Sequence, residues 1–453
     1  MKPKHAVIQN RSSLKQTRRL LVLLMALALV GINGASIRVA ARSKVTRPAV
    51  VLQTATVSTL TGTFQPIDNS PYAQQEPRVD CNLAAYTNGY IEYVDLATNS
   101  TTEVPGGPRA DHLSDVTDSH IALIRYFGSG DDRKVMVYDT ISQTFTFIGQ
   151  LATTNPSIGG TLVAFEDRTQ APDRYEGEIS VYDQSTATIT RLTNDDLLNT
   201  NPRVSPTGNV IVWQKCQHDG TGCAIYSAVQ TGPGTFQTTL LTGAGENRSP
   251  ATNGTLVAYI SDKNGENDIY YQPVGGGAEV HLSIPGDQRD VSISGDWIAF
   301  ESQDQQGYDV LVYDLRTEYL YQVTNTPLVD EMLSEISVCN GIGRIVYATH
   351  VSADDYKAYV FTFQVPSPTA EQIDNLIDLV HGFNLPAGLE NSLLTKLQDA
   401  LAANAASDIA TACDSLTAFI NTCQAQSEKK LTADQATQLI NSANQIKTGL
   451  GCQ

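Results

Sequence analysis

The sequence predicts a mainly β fold, a β-propeller of six or seven blades, followed by a small α-helical domain. Seven short apolar segments recur between residues 83 and 350 at spacings of 38 to 48 residues. A period of about 40–45 residues that holds several strands is typical of propeller blades. A blade buries its apolar faces only against neighbouring blades, so blades stack until the ring closes. Seven segments favour seven blades over six. The segments are residues 83–86, 121–126, 162–167, 210–215, 256–261, 297–302 and 344–350.

The remainder of each repeat supports this assignment. Most segments are followed by a second β-like run, often Val-Tyr-Asp, and turn residues such as Asn and Gly separate the runs. The second runs lie at 93–95, 137–139, 181–183, 270–271 and 312–314. The last repeat lacks an outer strand, and the β-like run at 49–57 is a candidate for it. The sequence therefore predicts a ring closed by strands from both ends of the propeller.

The N-terminal 42 residues have the organisation of an export signal. A basic stretch precedes an apolar run at 20–30, and Ala35, Ala40 and Ala41 offer a cleavage site. The run is shorter than the ~20 residues that a membrane span needs, so we expect no span in the mature chain. An uncleaved anchor remains the alternative. The pair Arg18-Arg19 resembles a twin-arginine signal, which leaves the export route open.

Charge excludes one class of partner. Residues 1–50 contain ten Lys and Arg and no acidic residue, whereas the remaining chain contains 20 basic and 48 acidic residues. A body this acidic repels phosphate backbones, so we predict that it does not bind nucleic acid. Residues 43–75 form a polar linker, residues 76–365 the propeller and residues 369–453 the helical domain.

Two stretches resemble a known family. Residues 192–194 with 201–213, and residues 257–271, are similar to the repeats of the TolB-like family of WD40-like propellers. The resemblance covers about residues 76–365 and implies the propeller fold. The periplasmic TolB protein carries an α/β domain before its propeller, and peptidases with such propellers carry a large hydrolase domain. Neither domain has room here, so neither function is carried over.

Residues 369–453 predict four helices, at 370–383, 389–403, 407–426 and 433–450. Apolar residues recur there at helical spacing, and Thr432 with Gln435 forms a capping box. The stretches 391–397, 416–421 and 431–436 resemble the FIMAH domain, a module at the ends of secreted multidomain proteins. The resemblance implies export and an accessory role.

Seven cysteines are typical of an oxidising compartment. Cys216 and Cys223 flank a hairpin loop, and a disulfide there would staple it. Cys81 and Cys339 precede strands of the first and last repeats, which become neighbours in a closed ring. In the tail, Cys413 and Cys423 lie ten residues apart on one helix, about 15 Å and too far for a bond. Cys452 therefore pairs with Cys413 if the last two helices form a hairpin.

Motifs for catalysis are missing from the sequence. It contains no GxSxG, HExxH or Walker-type loop. Residues 262–268 alternate oxygen-bearing side chains, but a plain turn explains them better than a Ca²⁺ loop. We predict no cofactor and no metal. Six histidines outside the signal are scattered over the repeats and the tail: His112, His120, His218, His281, His350 and His381.

Polar residues at the entrance of the innermost strands form the candidate site. Inner strands line the channel, so these side chains face its mouth and together suit a small polar ligand or a peptide terminus. The candidates are Arg109, Asp111, His112, Asn155, Asn201, Arg203, Asn247, Arg248, Arg289, Asp290, Asp330 and Glu331.

These observations predict a secreted or periplasmic protein that binds an envelope or extracellular partner, a protein or a glycan, without catalysis. A polysaccharide lyase or hydrolase that works in the channel is the first alternative, and a structural envelope component is the second. The sequence does not decide whether the chain is an enzyme.

Overall fold

The computed structural model shows a seven-bladed propeller followed by four helices. It describes residues 58–452 except 70–71, 107–110, 129–131, 151, 170–176, 244, 305, 353–354, 366–367 and 384. Within these residues seven antiparallel sheets follow one another, and their inner strands contact each other around a closed ring. The predicted fold class and the choice of seven blades are confirmed.

Each blade runs from an inner strand at the channel to an outer strand at the rim. The inner strands of blades 1 to 7 are Gln75–Asp80, Asp111–Thr117, Thr153–Gly159, Leu198–Val204, Asn247–Thr252, Gln288–Ser294 and Glu331–Cys339. The second strands are Leu83–Thr87, His120–Tyr126, Leu162–Asp167, Val210–Cys216, Leu256–Ser261, Trp297–Gln303 and Ile342–Ser352. The third strands are Ile91–Asp95, Arg133–Asp139, Glu178–Asp183, Ala224–Gly232, Asp268–Pro273, Tyr308–Asp314 and Asp355–Gln364. The outer strands are Ser100–Glu103, Thr144–Ile148, Thr188–Arg191, Thr235–Leu240, Val280–Leu282, Tyr319–Gln322 and Thr63–Pro66.

The second strands are apolar in their central residues because neighbouring blades cover both of their faces. A small residue recurs opposite the channel-lining position of the inner strand, and a large aromatic residue often follows it. In blade 3 these are Ala164 and Phe165, in blade 5 Ala258 and Tyr259, and all four are buried. Interlocking of small and large side chains between blades is the packing that a stable core needs.

The ring is closed by an N-terminal strand. Thr63–Pro66 pairs antiparallel with Asp355–Gln364 as the outer strand of blade 7. Ser58–Thr59 adds a fifth strand to blade 6, parallel to Tyr319–Gln322. The predicted run at 49–57 lies outside the described residues, and the position expected for it is filled by Thr63–Pro66.

A bulge interrupts every inner strand at the same point, where its register against the second strand shifts. In five blades one bulge residue has a positive φ, which is uncommon for residues other than glycine. These residues are Glu76, Asn155, Asn201, Ser249 and Asp290. Bulges re-aim the side chains that follow them, and here the residue after each bulge lines the channel.

The C-terminal region consists of helices α1 (Pro368–Gly382), α2 (Ala387–Ala405), α3 (Ile409–Gln426) and α4 (Ala433–Leu450). They pack around one apolar core that includes Leu376, Leu393, Phe419 and Leu439. The predicted capping box at α4 is present. None of the described helices is both long and apolar enough to cross a membrane.

All three predicted disulfides are present: Cys81–Cys339, Cys216–Cys223 and Cys413–Cys452. The first joins blade 1 to blade 7 across the closure of the ring, with a Cα–Cα distance of 5.4 Å. Cys423 is a free thiol buried in the helical core, and burial raises its pKa to about 12. At neutral pH it is therefore an unreactive thiol.

Candidate functional site: the channel mouth

Four of the predicted residues meet at one part of the channel mouth. His112, Asn155, Asn201 and Arg203 line a cavity of about 370 Å³ that extends from blade 4 to blade 1, where it is lined by Glu76 and Arg78. His112, Asn155 and Asn201 are exposed, and the His112 ring lies edge-on to Tyr126 with 5.4 Å between ring centres. This cavity, hereafter the mouth pocket, is open to solvent and lined by polar side chains.

The two asparagines are held in place by one buried carboxylate. Glu166 is fully buried beneath them. It accepts hydrogen bonds from the Asn155 side-chain amide at 2.6 Å and from the Asn201 backbone N–H at 3.1 Å. Arg168 donates to its other oxygen at 2.8 Å. Glu166 thus fixes the polar edge of the mouth pocket without facing the ligand space itself.

Arg203 differs from its neighbours because its guanidinium makes no hydrogen bond or ion pair with any residue that the structure describes. Burial lowers its pKa, and the nearby Arg78 lowers it further, although the carboxyl groups of Asp115, Glu335 and Asp290 are near enough to raise it against burial. It lines both the mouth pocket and the channel below it. A cation in such a place is disposed to take an anionic partner.

Below the mouth, one residue from each blade forms a ring around the channel, directly after the bulge in six blades and one position later in blade 6. In blade order these residues are Arg78, Asp115, Ser157, Arg203, Ala251, Ser292 and Glu335. Most of them bind the backbone of a neighbouring blade. Arg78 donates to the Ser334 carbonyl at 3.0 Å, Asp115 accepts from the Ile158 N–H at 3.0 Å, and Glu335 accepts from the Val79 N–H at 2.9 Å. The ring therefore ties blade to blade.

The charges of this ring shift each other's protonation. Burial raises the pKa of Glu335 to about 8, and the negative charge of Asp115 raises it as well. Arg78, the Val79 N–H and Arg203 oppose that rise but do not cancel it. Two cations and two carboxyl groups thus face one narrow channel with a volume of about 90 Å³.

The other predicted mouth residues do not converge on a shared pocket, because partners in the protein occupy them. Asp111 is buried in an ion pair with Arg125 at 2.6 Å. Arg289 pairs with Glu301 and lies 3.4 Å from the centre of the Tyr308 ring. Arg248 pairs with Glu246 at 3.5 Å.

The remaining members of the predicted set are also placed elsewhere. Asn247 and Glu331 are buried, and Asp330 accepts a hydrogen bond from the Tyr308 N–H at 3.1 Å. Asp290 is exposed at its bulge. Arg109 lies outside the described residues. The set that the sequence predicts for the whole mouth is therefore reduced to its part between blades 2 and 4.

Histidines in the described part of the chain do not gather into a ligand set. The one described group of three ligand atoms within 4.8 Å is Asp80, Cys81 and Cys339, whose two sulfurs form a disulfide. His281 instead binds Asp268 at 2.9 Å, and His381 binds Glu390 at 2.8 Å.

Sequence reasoning missed Arg78, Asp115, Glu335 and Glu166. The first three follow a bulge, and a bulge shifts by one position which side chains face the channel. A local signal exists in four blades, where proline directly follows the bulge residue and the next residue faces the channel. These prolines are Pro77, Pro156, Pro202 and Pro250.

No protein-family model and no curated protein matches the chain. Among solved structures it is similar to the β-propeller domain of the Trilobed protease from Pyrococcus furiosus, with 10% identity, a TM-score of 0.50 and coverage of 65% of this chain and 98% of that one. An acylaminoacyl peptidase from Pyrococcus horikoshii gives 12% identity, a TM-score of 0.49 and coverage of 66% and 53%, so the chain spans about half its length. TolB from Acinetobacter baumannii has 15% identity and a TM-score of 0.37, and the match covers 63% of this chain and 78% of that one. The first of these likenesses shows the propeller fold, and at such identity it shows the fold alone.

Proposed function

We propose that this chain is an exported propeller protein that binds an envelope or extracellular partner, a protein or a glycan, through the mouth pocket and without catalysis. The observation that carries the proposal is Arg203, a cation without a partner among the described residues, at the floor of an open polar pocket. An anionic group of the partner, such as a peptide carboxylate or a uronate, is the chemistry that it would bind.

The mouth pocket has the groups that this binding needs. A guanidinium presents its N–H donors in a fork that matches a carboxylate with two parallel hydrogen bonds. The Asn155 and Asn201 amides flank it and can donate and accept. Glu166 holds both asparagines in position before any ligand arrives, which lowers the entropy lost on binding.

Export is supported by two features. Three disulfides are typical of oxidising compartments, outside the reducing cytosol. The basic and apolar order of residues 1–42 is that of a secretion signal. The FIMAH-like sequence of the helical region agrees with an accessory role beside the propeller.

A lyase or hydrolase in the channel is the second candidate, and one observation favours it. Glu335 has a pKa of about 8, so it holds a proton near neutral pH as a general acid must. Its hydrogen bond from the Val79 N–H gives it a structural role as well.

The test is to immobilise the full chain as the host exports it, pass envelope and exopolysaccharide extracts over it, and identify by mass spectrometry what is retained and released. Arg203→Gln is compared with Arg191→Gln, which removes the same charge from the outer strand of blade 3. We expect an intact component that the wild type and Arg191→Gln retain and Arg203→Gln loses. Release of fragments by the wild type would replace binding with catalysis, and retention that does not depend on Arg203 would refute the assigned pocket.

A further inference from the structure

A second pocket lies where the propeller meets the helical domain. A groove of about 670 Å³ runs between the rim of blades 6 and 7 and one face of α1. We name it the joint groove. Its walls combine acidic side chains from the helix with aromatic side chains from the blades. They include Glu371, Asp374, Asp378, Tyr319, Tyr321 and Phe363.

The acidic wall comes from a single helix face. Glu371, Asp374 and Asp378 are spaced by three and four residues, which places them on one side of α1. Asp374 and Asp378 are exposed. Burial raises the pKa of Asp374, and so does the negative charge of Asp378. The two carboxylates therefore repel each other across the groove wall.

No basic residue is among those that line the joint groove. The nearest described cation is Arg316, 3.8 Å from Glu371. Arg316 is bound to Asp314 through two of its nitrogens, at 2.9 and 2.6 Å. One guanidinium is thus shared by two carboxyl groups, while Asp374 and Asp378 form no ion pair with any residue in the described part of the chain.

Glu371 is the buried member of the acidic wall. It is only 5% exposed, and its Oε2 atom has no hydrogen-bond partner among the described residues. Its Oε1 atom accepts from the Tyr321 hydroxyl at 3.3 Å. A buried polar atom without a partner is rare and calls for an explanation. Burial and the neighbouring Asp314 raise the pKa of Glu371 to about 8, so near neutral pH it holds a proton that a cation bound beside it would displace.

We infer that the joint groove binds a basic side chain, the ammonium or guanidinium group of a lysine- or arginine-bearing segment of a partner protein. Carboxylates supply the opposite charge, and the rings of Tyr319 and Tyr321 supply faces that attract cations. A metal ion fits less well, because these carboxylate oxygens are not part of any described ligand group within 4.8 Å. The partner would contact propeller and helix at once.

The test is titration calorimetry of the full chain with an acetylated, amidated tetra-arginine peptide at low ionic strength. The variant Asp374→Asn/Asp378→Asn is compared with Asp399→Asn/Asp414→Asn, which removes the same charge from exposed positions on α2 and α3. We expect the first variant to bind at least 10-fold more weakly than the wild type and the second to change affinity less than 2-fold. Arg203→Gln should bind the peptide like the wild type, which separates this site from the mouth pocket.

Equal weakening in both Asp variants would show a general attraction to an acidic surface and would overturn the site. Displacement of the peptide by 1 mM Ca²⁺, but not by an equivalent amount of NaCl, would assign the groove to a metal instead. Circular dichroism and the Tm of each variant confirm that the fold is retained, so a loss of binding reports on the groove.

Discussion

Blades 3 and 6 use the same buried acid in the same position, with opposite results for the channel mouth. Glu166 and Glu301 lie at equivalent points of their second strands, and each is fully buried. Each accepts a backbone N–H of the next blade, from Asn201 at 3.1 Å and from Leu333 at 2.6 Å. Both acids therefore lock one blade to the next.

The difference is what else each acid binds. Glu301 also binds Arg289 of its own inner strand, which holds the cation at that mouth position. Glu166 binds the Asn155 amide and pairs with Arg168, and Arg203 on the neighbouring blade has no hydrogen bond or ion pair to a described residue. The two blades thus divide the use of this position, which secures an inner-strand arginine in blade 6 and a mouth-pocket asparagine in blade 3. Four predictions test that division.

The largest expected effect concerns the two disulfides of the propeller. Cys81–Cys339 closes a loop of 258 residues at the ring closure, and Cys216–Cys223 closes one of 7 residues in blade 4. By the loop-entropy argument, Cys81→Ser/Cys339→Ser lowers the free energy of unfolding by about 5 kcal/mol and Cys216→Ser/Cys223→Ser by about 2 kcal/mol. Urea unfolding measures both. Equal losses would mean that chain closure does not set the stability of the ring.

The second-largest loss of stability is expected at Glu301, the acid that joins blade 6 to blade 7. Glu301→Ala leaves the Leu333 N–H without an acceptor and Arg289 without its ion pair, so we expect a loss of about 3 kcal/mol in the free energy of unfolding. Glu301→Gln keeps an acceptor for Leu333 and should lose much less. Urea midpoints decide between them. If both variants were equally unstable, the hydrogen bond to Leu333 would not be what the acid contributes.

Stability should also depend on pH because blades 6 and 7 contain buried glutamates with raised pKa values. Burial, with the charge of Asp290, raises the pKa of Glu301 to about 8 against the opposing Arg289, and burial raises that of Glu331 to about 7. Because their pKa values in the unfolded chain are lower, the folded protein binds more protons between about pH 4.5 and 8. The Tm should therefore rise as pH falls from 9 to 6.

The double variant Glu301→Gln/Glu331→Gln should flatten that profile, whereas Asn155→Ala should not, because asparagine does not titrate. Glu335 and Glu371 contribute in the same direction, so the slope should shrink and not vanish. A wild-type Tm that falls over this range would contradict the raised pKa values.

The smallest expected change in stability separates the two mouth arginines. Arg203→Met removes a desolvated cation that has no described partner, so the free energy of unfolding should stay level or rise by about 1 kcal/mol. Arg289→Met removes the partner of a buried acid and should lower it. Chemical unfolding of the pair checks this. A large loss in Arg203→Met would mean that Arg203 is a structural residue.

Much of the fold was predictable because it depends on local pattern. Seven apolar segments at a near-constant period gave the number of blades, and the positions of Cys81 and Cys339 agreed with a closed ring. The closing strand was harder to locate. Thr63–Pro66 has one large apolar residue and ends in proline, which an outer strand tolerates because one of its edges carries no ladder. The run at 49–57 is more apolar and therefore the stronger local signal for a strand.

The site was predictable only in part because partners come from distant residues. Asp111 and Arg289 have the polarity of binding residues, and nothing near them in sequence shows that Arg125 and Glu301 neutralise them. Glu335 was not predicted because a bulge turns its side chain into the channel. Its partner Val79 lies in blade 1, which is distant from Glu335 in sequence. Arg203 was predicted because it lies at the entrance of an inner strand, where side chains face the mouth of the channel.

The strand that closes blade 7 has a consequence for how the chain is made. Thr63 is synthesised before any blade, whereas its partner Thr362 belongs to the third strand of blade 7 and is among the last residues of the ring to be synthesised. Until then the edge of Asp355–Gln364 does not exist, and Thr63–Pro66 has nowhere to pair. Pairing between residues so far apart in sequence is slow to form. The nascent chain therefore remains an open chain, able to pass through a pore in extended form, until its last blade is made. Once the ring has closed and the Cys81–Cys339 disulfide has formed, it can no longer do so.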